Sequence, residues 1–288
     1  MISDHTTLNC RGRLVNLSKP LIMGILNLTP DSFYDGGKWN SLDDALRQTQ
    51  RMLEEGALFI DIGGMSTRPG ARAIGVEEEL QRVIPVLTAL RERFPEALFS
   101  VDTVHARVIR EAWDLGIALV NDVSAGSMDP EVFPAIAQLQ IPYVLMHMKG
   151  APPDMQAAPE YEKGPVLEIL DFFIRQVGIL RGLGIKDVIL DPGFGFGKTL
   201  RDNYRLLQEL DVFNMLGLPV LVGVSRKSMI YKALGTGPEG ALHGTTALHM
   251  VALQKGAKIL RVHDVAPARD AIRMWEELEY ARQTAMPT

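Results

Sequence analysis

The sequence predicts a single-domain (β/α)8 barrel, the TIM-barrel class of α/β architecture, and three observations predict it. Short apolar runs alternate with amphipathic helical stretches along nearly the whole chain, in units of roughly 33 residues. Each run meets a polar residue at or next to its end, with stops at 27, 61, 102, 121, 147, 191, 225 and 261. No Pro- or Ser-rich linker breaks the series, so residues 1–288 read as one domain with its barrel core at about 21–283. The runner-up is a doubly wound sheet, which shares the alternation and differs only in whether the first and last strands pair.

Residues 21–26, apolar and bounded by Pro20, suit a buried strand, and the run stops at Asn27 before a polar loop closed by Gly36 and Gly37. Ser41 is a candidate cap for a first helix, in which Leu42, Ala45, Leu46, Thr49, Met52 and Leu53 recur at helical spacing up to Gly56. Residues 58–62 form the second strand, ahead of the Gly-rich loop 63–70. Glu77, Glu78 and Glu79 favour the start of a second helix and Arg91 and Arg93 its end, as the helix dipole prefers. The third strand, 97–101, stops at Asp102; a helix over about 104–115 closes at Gly116; the fourth strand, 117–120, stops at Asn121. Asp129 and Pro130 form a cap and first-turn pair, strand 141–146 stops at His147, and a long helix spans roughly 166–183. Strand 188–190 stops at Asp191, strand 219–224 at Ser225, and strand 258–260 at Arg261 after a helix around 245–254. Asp264 is a candidate cap for the last helix, with Val265, Ala268, Ile272, Trp275 and Leu278 facing inward.

Composition narrows the function classes. A net charge of -5 and a pI near 5.7 give no global attraction to nucleic acid or to an anionic membrane, so any basic site is local. The single Cys10 excludes an internal disulfide, and together with the lack of an apolar leader or membrane-length run it points to a cytoplasmic protein.

In a barrel every strand's C-terminal tip faces one mouth, so Asn27, Asp102, Asn121, Asp191, Lys227, Arg261 and His263 are expected to line one cup. A lone Asp or Asn after a strand is usually a turn or cap residue; seven such coincidences on one face are harder to dismiss. Two carboxylates and an amide accept from the N–H groups of a planar heterocycle, and a lysine donates to its oxygen or ring nitrogen. Arg261 is suited to stack on the ring and, with Arg68, His263 and Asn27, to meet a polyanion such as diphosphate. The amide oxygen of Asn27 is a hard ligand of the kind Mg2+ accepts when phosphate and water fill its other positions. There is no zinc spacing and no GxxxxGK[ST] loop. From the residues alone, the chain is a barrel that binds a flat polar ring and an anion.

The motifs go further. Asn27-Leu28-Thr29-Pro30-Asp31-Ser32-Phe33 with Asp35-Gly36-Gly37, Ser66-Thr67-Arg68-Pro69-Gly70, Ser100-Val101-Asp102-Thr103, Asn121-Asp122, Met146-His147-Met148, Asp191-Pro192-Gly193-Phe194-Gly195-Phe196-Gly197-Lys198, Ser225-Arg226-Lys227-Ser228 and Arg261-Val262-His263-Asp264 resemble, in order, the motifs of the dihydropteroate synthase family, and the likeness runs from about Leu21 to Trp275. The resemblance implies a transferase of folate biosynthesis that condenses 7,8-dihydropterin-6-ylmethyl diphosphate with 4-aminobenzoate, releasing diphosphate by a dissociative route. It implies that Asp102, Asn121, Met146, Asp191, Gly223, Lys227 and Arg261 hold the pterin. Asn27, Arg68, Arg261 and His263 would hold diphosphate, with Mg2+ on Asn27. Phe33, Thr67, Pro69, Gly195, Phe196, Lys227 and Ser228 would form the aminobenzoate site, where sulfonamides compete. Asp102, Lys227, Arg261, Arg68 and Thr67 would carry the chemistry, residues 29–37 would act as a mobile lid, and the family's habit is a homodimer. Lys149, residues 151–154 and Glu162-Lys163-Gly164 depart from the family's commonest wording, which bears on sulfonamide contacts more than on activity. Two alternatives share the barrel: a methyltransferase that takes a methyl group from a tetrahydrofolate, and a pterin-binding paralogue without synthase activity.

Overall fold

The computed structural model describes residues 7–28, 38–65, 74–150 and 159–284. The described residues begin with an antiparallel hairpin of β1 (Thr7–Cys10) and β2 (Arg13–Asn16), which the sequence pattern did not reveal. Eight parallel strands follow: β3 (Leu21–Asn27), β4 (Phe59–Gly63), β5 (Leu98–Asp102), β6 (Leu119–Asp122), β7 (Tyr143–Met146), β8 (Val188–Asp191), β9 (Leu221–Val222) and β10 (Ile259–Val262). They pair in the order β8-β7-β6-β5-β4-β3-β10-β9. The ring closes through a bridge between Leu190 and Val220, where the Leu190 amide donates to the Pro219 carbonyl at 2.9 Å. Because β3 pairs with β10, the doubly wound alternative fails and the barrel holds.

The outer layer is α1 (Lys38–Glu55), α2 (Val76–Arg93), α3 (Ala106–Asp114), α4 (Val132–Leu139), α5 (Pro165–Gly182), α6 (Leu200–Gln208), α7 (Ser228–Leu234), α8 (Leu242–Gln254) and α9 (Val265–Thr284). Four local expectations change. The first helix starts at Lys38, so Ser41 lies inside it rather than capping it. Asp129 accepts from the Glu131 amide two residues on, but its second oxygen accepts from Ala106 at the start of α3, joining two helices. The Asp264 carboxylate takes both of its bonds from Arg226, at 2.7 and 2.9 Å. Leu278 in α9 is exposed at 52% while Val265, Ala268 and Ile272 are buried, because α9 outruns the barrel it packs on. Helix α6, which sequence periodicity did not single out, is nucleated by a capping box in which Thr199 and Asp202 satisfy each other's backbone N–H groups.

Alternation along the strands decides what the barrel contains. Met23, Phe59, Leu98, Leu119, Val144, Ile189, Leu221 and Ile259, one from each strand, pack in a single cluster with Leu8, Cys10, Val15 and Leu17 of the hairpin. The hairpin therefore plugs the N-terminal end of the barrel. Two residues further along each strand the inward positions are Ile25, Asp61, Ser100, Asn121, Met146, Asp191, Gly223 and Arg261. One register of period two thus converts an apolar floor into a polar cup. The larger core lies between the strands' outer faces and the helices, and supports the cup from outside.

Candidate active site

Arg261 organises the cup. Its Nε donates to Asp61 Oδ2 at 2.7 Å and one Nη to Asp102 Oδ2 at 2.6 Å, while Asn121 Nδ2 donates to the same Asp61 oxygen at 2.9 Å. Asp61, Asp102 and Asn121 are buried. The sequence pattern marked position 61 as a stop but assigned Asp61 no role; its inward register, shared with Asn121 and Arg261, is the signal that would have found it. Removal from water lifts the Asp102 carboxyl above the ordinary carboxylate range, Arg261 opposing and Asp61 adding to the rise. Arg261 itself is held more firmly protonated than usual by the two carboxylates, against the cost of burial. Two acceptors of this network remain: among the described residues Asp61 Oδ1 and Asn121 Oδ1 are buried with no hydrogen-bond partner, as is Ser100 Oγ in the same layer. Buried acceptors are rarely left unmatched, and these two define a place for a donor-bearing ligand.

Across the cup stand Asp191 and Lys227. Asp191 ends β8 level with Met146 on β7, and its Oδ1 accepts from the Gly193 amide at 2.8 Å. Burial raises its carboxyl, with Lys227 opposing. Lys227 is half-buried; its ammonium donates to the Phe194 carbonyl and lies 4.7 Å from the Phe196 ring centroid. Burial lowers it to about 8, Asp191 working against the drop. Met146 packs with Val104 and Val123, and Met65, Met148 and Phe196 lean on them, so an apolar wall stands beside the polar floor. Gly223 is buried and close to Lys227 and Arg261, where it leaves the cup wall without a side chain. Ser228 opens α7 beside Lys227 and Gly195 lies in the loop under Lys227.

His263 is exposed at the rim, where its amide donates to Ser225 Oγ at 3.2 Å and its Nδ1 lies 3.1 Å from that oxygen. Ser225 therefore supports the rim rather than lining the cup. His147 also leaves the cup: its ring sits against Phe172 and Lys198, and burial with the two nearby lysines lowers it to about 2, keeping it neutral. Phe33, Thr67, Arg68 and Pro69, with the proposed lid over 29–37, lie outside the described residues.

Asn27 ends β3 level with Gly63 on β4, which is in turn level with Asp102 on β5. Its side-chain oxygen lies on the same side of Gly63 as the Asp102 carboxylate. Among the described residues no group of three or more His, Cys, Asp or Glu is placed to hold a metal. Among the described residues the donor set is one neutral hard oxygen beside one carboxylate, which fits Mg2+ completing its shell with phosphate and water.

A family described as pterin binding enzyme matches residues 23–263. A dihydropteroate synthase from Haemophilus influenzae is 47% identical over 271 residues, covering 93% of this chain and 98% of that one. The chain belongs to the dihydropteroate synthase family. A Yersinia pestis dihydropteroate synthase solved with a sulfonamide superposes with a TM-score of 0.89 at 44% identity, covering 96% of this chain and 99% of the other. The Xanthomonas albilineans synthase in complex with 7,8-dihydropteroate gives 0.86 at 40% identity, covering 98% and 100%. Family membership decides for the synthase and against the methyltransferase that the barrel alone allowed. No described helix is long and apolar enough to cross a membrane.

Proposed function

We propose that the cup binds the dihydropterin ring edge-on and that condensation with 4-aminobenzoate proceeds by loss of diphosphate first. The observation that carries this is the set of acceptors left over in the cup, Asn121 Oδ1 and Asp61 Oδ1, beside the buried carboxylates of Asp102 and Asp191. A pterin presents ring N–H and amino donors along one edge and a carbonyl oxygen at its end, which matches those acceptors with Lys227 as the donor. Met146 supplies an apolar face for the ring, and Gly223 leaves room beside it.

In this reading the C–O bond at the exocyclic methylene breaks with both electrons leaving on diphosphate. The positive charge spreads over the dihydropterin, where Asp102 stabilises it. The aniline nitrogen attacks the methylene carbon, a C–N bond forms, and the proton lost from nitrogen passes to water or the departing diphosphate. No protein nucleophile is required. Asn27, Arg68, Arg261 and His263 would meet the diphosphate; Arg261 would reach it by exchanging one of its two carboxylate partners. Asn27 would hold Mg2+, which when bound would supply positive charge against the diphosphate. Phe33, Thr67, Pro69, Gly195, Phe196, Lys227 and Ser228 would form the aminobenzoate side, where a sulfonamide would compete.

The family's homodimer and a cytoplasmic location belong to the same proposal. Sedimentation velocity measures the homodimer. The decisive experiment is diphosphate release with both substrates present. Release that needs 4-aminobenzoate supports the reading, whereas pterin diphosphate binding without release refutes it.

A further inference from the structure

Lys198 is almost completely buried, yet it lies outside the cup and the chemistry above does not use it. Its ammonium donates to the carbonyls of Gly193 at 2.8 Å, Phe196 at 3.0 Å and His147 at 3.3 Å, and lies 3.1 Å from His147 Nδ1. Two of those carbonyls belong to the loop after β8 and the third to the end of β7, so one side chain ties the two segments together. The backbones are already in contact. A Cβ at Gly193 would collide with the His147 carbonyl oxygen, and one at Gly197 with that of Lys149, and both glycines have positive φ, 69° and 61°. The approach leaves no room for side chains between the segments, and Lys198 fills the space beneath with a cation. Burial lowers that amine to about 7 even with Asp191 favouring the charge, so the lysine is kept there against the preference of an ammonium for water. From the outer side the Tyr161 hydroxyl donates to the Gly197 carbonyl at 2.8 Å.

What the loop carries upward is the ligand side of the site. The Phe194 carbonyl accepts from the Lys227 ammonium, and the Phe196 ring lies beneath that same cation. Asp61, Asp102, Asn121 and Asp191 sit on strands, held by their own ladders.

We propose that Lys198, aided by the Tyr161 hydroxyl, is a positioning residue for the aminobenzoate half of the site, setting where Phe196 meets that substrate without touching it. The proposal rests on the site assignment of the preceding section. A cation is used because three carbonyl oxygens converge on one point, more than a neutral hydroxyl or amide could satisfy from that position.

The test is steady-state kinetics of the full-length enzyme with calorimetry of pterin diphosphate binding. Lys198→Met keeps the length and apolar stem and removes the donors. The expected result is a KM for 4-aminobenzoate raised about tenfold, with pterin diphosphate affinity changed less than about threefold. Lys198→Gln, which restores two N–H donors, is expected to recover part of that loss. A merely structural role lowers the thermal midpoint and the active fraction while leaving both constants in place, and that outcome overturns the proposal. Parallel weakening of both substrates overturns it too. Should neither Lys198 variant fold, Tyr161→Phe loosens the same loop from outside and must show the same split, about threefold; unchanged constants there also overturn it. Phe196→Ala separates the two levels of the argument. If it leaves the aminobenzoate KM unchanged, the site assignment is wrong. If it raises that KM and Lys198→Met does not, only the positioning role falls.

Discussion

Replacing Asp102 by Asn separates binding from chemistry. Asp102 is buried, its Oδ2 accepts from Arg261 at 2.6 Å, and it lies level with Asn121 on the neighbouring strand. The change keeps shape and one acceptor oxygen and removes a charge. Ground-state pterin recognition then loses the difference between a charge-assisted and a neutral hydrogen bond, about 1 kcal/mol or roughly fivefold in affinity. The transition state loses more. A carboxylate about 5 Å from a developing cation, at an effective dielectric near 20, contributes about 3 kcal/mol, roughly 200-fold in rate. Arg261 neutralises part of that field, so the loss in turnover should lie between about tenfold and 200-fold. The assay is single-turnover diphosphate release at saturating 4-aminobenzoate, alongside calorimetric titration with pterin diphosphate. An equal loss in turnover and in affinity refutes the cation-stabilising role.

Three other outcomes are expected. The Lys227 amine, lowered by burial from 10.5 to about 8, is protonated and able to donate below that pH and loses the proton above it. The kcat/KM for pterin diphosphate should therefore fall as pH rises through about 8, and a profile flat to about pH 10 would contradict the donor role. Chelating Mg2+ should abolish turnover, and Asn27→Ala should raise the Mg2+ concentration for half-maximal rate about tenfold to a hundredfold, which a metal titration reads directly. Leu8→Ala in the hairpin plug, where Leu8 is 1% exposed, should cost about 2–4 kcal/mol in chemical unfolding while leaving the kinetic constants of the folded enzyme in place.

The hairpin shows why part of the fold was not legible. Leu8, Cys10, Val15 and Leu17 are apolar residues scattered through a polar N-terminal stretch, and only against the barrel floor do they form a surface. The strand series was legible because each run is buried on both faces and reads as continuous apolar sequence. Asp61 marks the opposite limit. A carboxylate inside an apolar run looks like a break in a strand until the alternation of all eight strands puts it beside Arg261, distant by 200 positions. Lys198 read as the end of a glycine motif, since the one partner that shows it joining two segments, His147, lies 51 positions away.

Sequence by itself determined the eight β/α units, the polar residues at their ends and the family, because hydrophobic period and motif order are local properties of the chain. Tertiary structure alone decided which of those residues meet. Closure of β3 on β10 brings Arg261 between Asp61 and Asp102, and the close backbone approach at Gly193 and Gly197 creates the buried point that Lys198 occupies. Such contacts depend on register and closure, and no local stretch of the chain encodes either.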